Sequence, residues 1–337
     1  EEHFALDRIL NDGPWSGSKT QLIDKLNFGL YFFVLLDLTT GKPLYNRGFA
    51  SIFGEWQTIP EAKDGWGTFH ESIRFPWPLK PVKLIVKKRD IENNFVKIWE
   101  TEIDPSSRIV NPAENLKKYN VYNCMENGPA SEKVDIVILG DGYTDAEMEK
   151  FHQDVTRMTN ELFAVEPFKS RKNDFNVRAI DTPSEVSGVN KPHRGVFNRT
   201  PLSVSYGAFD SERYALAFDN RIIRDVAATV PYDFMFILIN EETYGGGGIY
   251  QLYSTVAVNN KFSDYIFVHE FGHGFAGLGD EYYNSEVAYE DFYNLKVEPW
   301  EPNITTLVDF GSKWKSMVDE SVEIPTPRSA KYNNAVG

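Results

Sequence analysis

The chain has one cysteine, Cys124, in 337 residues. No intrachain disulfide can form, and no metal can be held by a thiolate cluster. Cys124 has no local pattern of an activated nucleophile and reads as an inert, packed thiol. So few thiols suit the cytosol and bacterial export equally. Positive charge is also scarce: 35 Lys and Arg stand against 49 Asp and Glu, a net charge of −14. No basic run interleaves with aromatics, which argues against nucleic-acid binding, and the acidity disfavours anionic membranes. Long apolar runs are missing too. The most apolar stretch, Gly29 to Leu36, falls far short of the ~20 residues of a transmembrane segment. The chain opens at Glu1-Glu2-His3 without Met or a charged-then-apolar leader, so it reads as a mature or trimmed chain. Histidine is rare, six in all, which gives weight to any two spaced as ligands.

What is present is a large apolar fraction, 42% of residues, enough to bury a substantial core in two domains or one large one. Leu26–Leu38, Ile52–Trp56, Glu71–Phe75, Val82–Lys87 and Phe95–Ile103 read as strands separated by turns. Short strands at this spacing predict an N-terminal β-sandwich of about a hundred residues. Trp56, Trp66, Trp77 and Trp99 lie among them and are read as packing residues rather than a sugar platform. A connector follows at Asp104–Pro112, and the domain boundary is placed near residue 120. Beyond it, Val134–Leu139 reads as a strand buried on both faces. Thr144-Asp145-Ala146-Glu147 is a capping box that opens a helix to about Phe163, with Met148, Phe151, Val155, Met158 and Leu162 on its apolar face. Phe175–Ile180 completes a β-α-β unit. Pro183–Ser205 is polar and predicts a surface loop, Glu212–Val226 has helical spacing, and Tyr232–Ile239 is a further buried strand. Gly245–Gly248 is no phosphate loop, since no Lys-Ser/Thr follows. It is read as a bend into a strand at Tyr250–Val258, placed at the edge of a cleft where an extended peptide could pair.

The chemistry concentrates in Tyr265 to Tyr283, which contains His269-Glu270-Phe271-Gly272-His273. Residues four apart on a helix share a face, so both imidazoles can meet one ion. Neutral imidazole nitrogen suits zinc, and a carboxylate beside the ion can take a proton from a water there. Glu270 is therefore the candidate general base, and His269 and His273 the candidate ligands. Ser263 is a candidate N-cap, and Gly277 supplies helix-stop chemistry.

The stretch H-E-F-G-H-G-F-A-G-L-G-D-E-Y resembles the active-site segment of the bacterial IgA peptidase family of zinc metallopeptidases. Val134 to Thr144 resembles the start of that family's catalytic domain, and Glu301-Pro302-Asn303-Ile304-Thr305 a segment that follows its metal site. The resemblance runs from about Asn120 to the end. It implies a zincin-like, metzincin-resembling catalytic domain over residues 121–337, with a mixed sheet and an active-site helix, after a β-rich domain over residues 1–120. The expected class is thus α+β or α/β. It also implies a Zn2+ metalloendopeptidase that is secreted, periplasmic or on the cell surface. Its partners would be protein or peptide substrates, host or extracellular glycoproteins among them. The rival reading is a catalytically inactive surface module that binds protein or carbohydrate; an intact Glu270 argues against it. A metal-dependent amidase on small substrates would share the chemistry but need a closed pocket.

The motif departs from the metzincin pattern H-E-x-x-H-x-x-G-x-x-H: Ala276 stands at its glycine and Gly279 at its third histidine. Gly277 and Asp280 keep that pattern's interval of three, displaced by one residue, which makes Asp280 the candidate third ligand. Glu281 competes as its neighbour, and Glu286 and Glu290 compete as ligands from a second helix. Tyr282 and Tyr283 are candidate oxyanion donors by sequence proximity alone. Asp141 reads as a turn residue or a contributor to the site, His193 as a surface residue, and Met317 as packing or a methionine turn beneath the ion.

Overall fold

The computed structural model describes residues 2–114, 119–281, 293–327 and 329–332. In chain order its elements begin with β1 (Ile9–Leu10), β2 (Tyr31–Asp37), β3 (Pro43–Phe49), α1 (Ile52–Trp56) and α2 (Glu61–Asp64). There follow β4 (Val82–Arg89), β5 (Phe95–Ile103), β6 (Val110–Asn111), β7 (Val121–Met125), β8 (Val134–Asp141), α3 (Met148–Leu162) and β9 (Phe175–Ile180). The rest are β10 (Val204–Tyr206), β11 (Ala215–Ala217), α4 (Asn220–Ala227), β12 (Phe234–Ile239), β13 (Gly246–Ile249), β14 (Tyr253–Ala257) and α5 (Ser263–Ala276).

The architecture is mixed α and β with no closed barrel among the described residues. The N-terminal part holds an antiparallel sheet in the order β3-β2-β4-β5, beside a short parallel pair of β1 with β6. Phe33, Leu35, Val82, Leu84, Val86 and Ile103 bury its inner face. The strand expected at Ile52–Trp56 is instead helix α1. Ser51 decides this locally, because its hydroxyl accepts the Gly54 N–H at 3.0 Å as an N-cap. Glu71–Phe75 joins no sheet; it runs as irregular chain between the two parts, where the Arg74 guanidinium bonds Asp12 and the Tyr232 carbonyl.

The second part is built on a six-stranded sheet in the order β13-β14-β12-β8-β9-β7. The four central strands run parallel, and β13 and β7 close the edges antiparallel. Central strands buried on both faces explain the near-continuous apolar runs in the sequence. One face carries α3 and α5, whose Phe151, Val155, Met158, Ile266, Phe267 and Phe271 pack on Ile136, Ile138, Val177 and Phe236. The capping box at Thr144 and Glu147 forms as expected. The other face carries α4 and the β10–β11 hairpin, and it takes in Ile52 from α1.

Three expectations are corrected here. Glu212–Val226 is helical only over α4, where Asp219 caps the Arg221 and Ile222 N–H groups; Ala215–Ala217 pairs with β10 instead. The segment from 183 to 205 is mostly irregular but lies partly inside, with Val189, Leu202 and Val204 fully buried. Buried Asp141 holds it there, accepting from the Thr200 hydroxyl and from the Leu202 and Val204 N–H groups. Finally, β14 is interior, between β12 and β13. The edge strand is the glycine run itself, Gly246–Ile249.

Candidate metal centre

Helix α5 sets the site by dividing its faces. Phe267 stacks on Phe236 of the sheet at 4.1 Å between ring centres, and Phe271 and Phe275 join Phe168 and Phe234 in an aromatic cluster. Those residues recur every four positions and fix the rotation of the helix, leaving His269 and His273 on another face. Ser263 is its first residue rather than the cap. The Ser263 hydroxyl donates back to the Ala257 and Asn260 carbonyls, while the Asn260 carboxamide accepts the Phe262 N–H. At the other end, Gly277 adopts the left-handed conformation, φ 66° and ψ 31°. The Leu278 N–H then returns to the Gly272 carbonyl across the stop.

That stop turns the chain back across the helix and delivers Asp280. His269 Nε2 and His273 Nε2 lie 3.0 Å apart. Asp280 Oδ1 lies 3.3 Å from the first and 3.2 Å from the second. Tetrahedral nitrogen and oxygen ligands at about 2.0–2.2 Å from an ion stand about 3.3 Å from one another. The triangle therefore fits one small cation that takes N and O donors. His273 Nδ1 faces the Leu278 carbonyl and donates to it, so Nε2 is the nitrogen that, once deprotonated, would give its lone pair to an ion in the triangle. Glu281 does not join: Asn303 Nδ2 donates to its Oε1 at 2.5 Å.

Glu270, between the two histidines in sequence, lies against the edge strand. A Cβ on Gly248 would stand 2.8 Å from His273 Cβ and 3.0 Å from Glu270 Oε2, and one on Gly246 would stand 3.2 Å from Glu270 Oε1. The glycine run is the means by which this strand passes close under the carboxylate. Some solvent still reaches Glu270, yet the protein crowded around it disfavours charge and pushes its carboxyl up to about 7, against the pull of the two imidazoles. Asp280 is held well below the usual carboxylate range: partial burial raises it, but hydrogen bonds from His269 and His273 outweigh that. Burial works against a charged His273, while Asp280 and Glu270 favour it, and the ion-free ring rises to about 9.

No motif or spacing in the chain marks Glu55. It reaches this neighbourhood from α1, where the Tyr214 hydroxyl donates to its Oε2 at 2.5 Å. Burial pushes its carboxyl up to about 7, opposed by Tyr214 and His273 and reinforced by Glu270 and Asp280. Tyr265, stacked on His269 and largely exposed, was also passed over. Its place one turn before His269 on α5 is the signal for Tyr265; Glu55 has none, since it lies far off in the chain. Asp141 is buried as a loop anchor and stands outside the ligand group. His193 lies against Gly207 and 4.0 Å from Glu212. Met317 is 70% exposed, which removes both the packing and the methionine-turn readings. Tyr282, Tyr283, Glu286 and Glu290 lie outside the described residues.

Among the described residues, no helix is long and apolar enough to cross a membrane. No curated protein matches the chain. Residues 1–100 match the Peptidase M64 N-terminus. Residues 123–335, which hold the whole His269–Asp280 cluster, match IgA Peptidase M64, a family of metallopeptidases. The chain therefore belongs to the IgA peptidase M64 family and is a peptidase.

Proposed function

We propose that the protein is a zinc-dependent endopeptidase, with His269, His273 and Asp280 as ligands and Glu270 as general base. The observation that carries this is the triangle of two imidazole nitrogens and a carboxylate oxygen, 3.0 to 3.3 Å on a side. Zinc, when bound, supplies Lewis acidity and makes a water acidic near neutral pH. Glu270 would take that water's proton and return it to the departing amine. The positive charge of a bound ion pulls Glu270 further toward its basic form.

The edge strand supports a protein substrate. Gly245 accepts the Ala257 N–H, so Gly245 and Gly247 face β14, and Gly246 and Gly248 turn their backbone polar groups outward. Gly246 spends its N–H on the Arg213 carbonyl. An extended peptide laid along Gly248 would run past Glu270 and the imidazoles. We place the protein outside the cytoplasm of a bacterium, acting on host or extracellular glycoproteins, from the family resemblance of the active-site segment.

The test is Glu270→Gln. It should retain about one zinc per chain and lose about 10²- to 10⁴-fold in kcat on a protein substrate, with little change in KM. Undiminished kcat in a zinc-loaded variant overturns Glu270 as the base, and a fully active metal-free parent overturns the zinc reading.

A further inference from the structure

The third ligand stands on a loop with no helix or strand beneath it. Asp280 follows the Gly277 stop; Leu278 is tied back to helix α5 through Gly272 and His273, but no helix bond reaches Gly279 or Glu281, the two neighbours of Asp280. One side chain does so from outside. Asn303 Oδ1 accepts the Gly279 N–H at 2.8 Å, and Asn303 Nδ2 donates to the Gly279 carbonyl at 2.8 Å. The same Nδ2 donates to Glu281 Oε1 at 2.5 Å. Both neighbours of Asp280 are thus held by one carboxamide. Its pairing with Gly279 uses an acceptor and a donor as a backbone partner in a ladder would, which fixes direction as well as distance. Gly279 lies so close to this segment that a Cβ there would stand 2.9 Å from Ile304 Cγ1 and 3.4 Å from Glu301 Cγ.

The loop held in this way does two things for the ion. It carries Asp280 to within 3.3 Å of both imidazoles, and it supplies the Leu278 carbonyl that fixes the His273 tautomer. We propose that Asn303 is a positioning residue for the metal, which presets the Leu278–Glu281 loop so that Asp280 meets the ion without an ordering step. Glu281 has a part in this too, as the anchor of the Asn303 carboxamide rather than as a ligand. The inference rests on His269, His273 and Asp280 being the ligands. Groups that orient a ligand from behind typically hold about 10- to 100-fold of metal affinity.

The experiment uses the full chain and zinc itself. Competition against a chromophoric chelator gives the affinity of the parent, Asn303→Ala, Glu281→Ala, Glu281→Gln and His269→Ala. It is done well below the melting temperature, where circular dichroism shows each to be folded. Asn303→Ala should bind zinc about 10- to 100-fold more weakly. Glu281→Ala should lose less, since two of the three hydrogen bonds remain. Glu281→Gln, whose amide oxygen still accepts from Asn303, should restore nearly parental affinity. Cobalt-loaded Asn303→Ala should show a visible spectrum shifted from the parent as the Asp280 oxygen disengages. A residue that only stabilises the fold would lower the melting temperature and leave affinity and spectrum unchanged in folded protein, and that result overturns the proposal. If Asn303→Ala does not fold, parental affinity in Glu281→Ala overturns it instead. A parent that binds zinc no better than His269→Ala overturns the ligand assignment and the proposal together.

Discussion

At the scale of the residue, the proposed site sets a proton in competition with an ion. In ion-free protein, His273 holds its proton up to about pH 9. An ion must expel that proton, so apparent zinc affinity should rise with pH until about 9 and level off above it. Calorimetry in buffers of differing ionisation enthalpy at pH 8 should find about one proton released per zinc. A pH-independent affinity between 7 and 9 would contradict the placement of His273. The same group sets the stability of ion-free protein. Its folded value lies above its ordinary 6.5, so its contribution is full below 6.5 and is lost as pH rises through about 9. Glu270 and Glu55, both raised from 4.5 to about 7, act in the same direction, disfavouring the fold as they ionise. Chelated protein should therefore melt at progressively lower temperature from pH 5 to 9, and added zinc should flatten that slope. For the third ligand, Asp280→Ala should lose zinc while Glu281→Ala keeps most of it.

At the scale of the element, the edge strand and helix α5 are made for one another by glycine. Gly248→Ala would force a Cβ to within 2.7 Å of the Glu270 carbonyl and 2.8 Å of His273 Cβ. Backbone cannot yield as a flexible side-chain tip does, so strand and helix must separate. We expect a loss of about 1–3 kcal/mol in unfolding free energy and a fall in kcat, since the motion displaces both Glu270 and His273. Gly311→Ala is the control: its Cβ meets nothing within 4 Å and its φ is not positive, so stability should be unchanged. Urea titration of the two variants decides the matter, and equal midpoints would show that the strand has slack.

At the scale of the whole molecule, we propose two units dividing near residue 120, a point that the two family matches flank. They are packed units rather than beads on a string. Arg74 lies over the Tyr232 ring at 3.5 Å and donates to the Tyr232 carbonyl at 2.8 Å. The Ala50 N–H reaches the Tyr250 carbonyl, and Asn220 bonds the His70 carbonyl and the Ser72 hydroxyl. Ile52, 1% exposed, lies in the core of the six-stranded sheet. Ile52→Ala should cost about 2–5 kcal/mol and lower the melting of the catalytic part, read by loss of zinc on heating. A change confined to the N-terminal part would show the two to be independent. Limited proteolysis should cut first between residues 104 and 130; resistance there would count against an exposed connector.

The sequence by itself determined what local chemistry can settle. The i, i+4 histidines, the Gly277 stop and the interval to Asp280 are all matters of helix period and backbone permissiveness, and so were legible, as were the capping box at Thr144 and the buried runs of β8, β9 and β12. Ile52–Trp56 departs from the expected strand because I-F-G-E-W is too short to show a period, and the Ser51 cap favours helix at its start. What the tertiary structure decided were contacts between distant stretches. The Gly245–Gly248 run gave no periodicity, and only its approach to α5 and pairing with β14 turn three of its glycines into an edge strand. Glu55 reaches the site by folding of the N-terminal part onto the sheet. Asn303, visible in sequence as one residue of a resembling segment, acquires its place at Gly279 only when that segment folds back on the loop. Spacing along one helix fixes which residues share a face; which strand, carboxylate or amide meets that face depends on long-range packing.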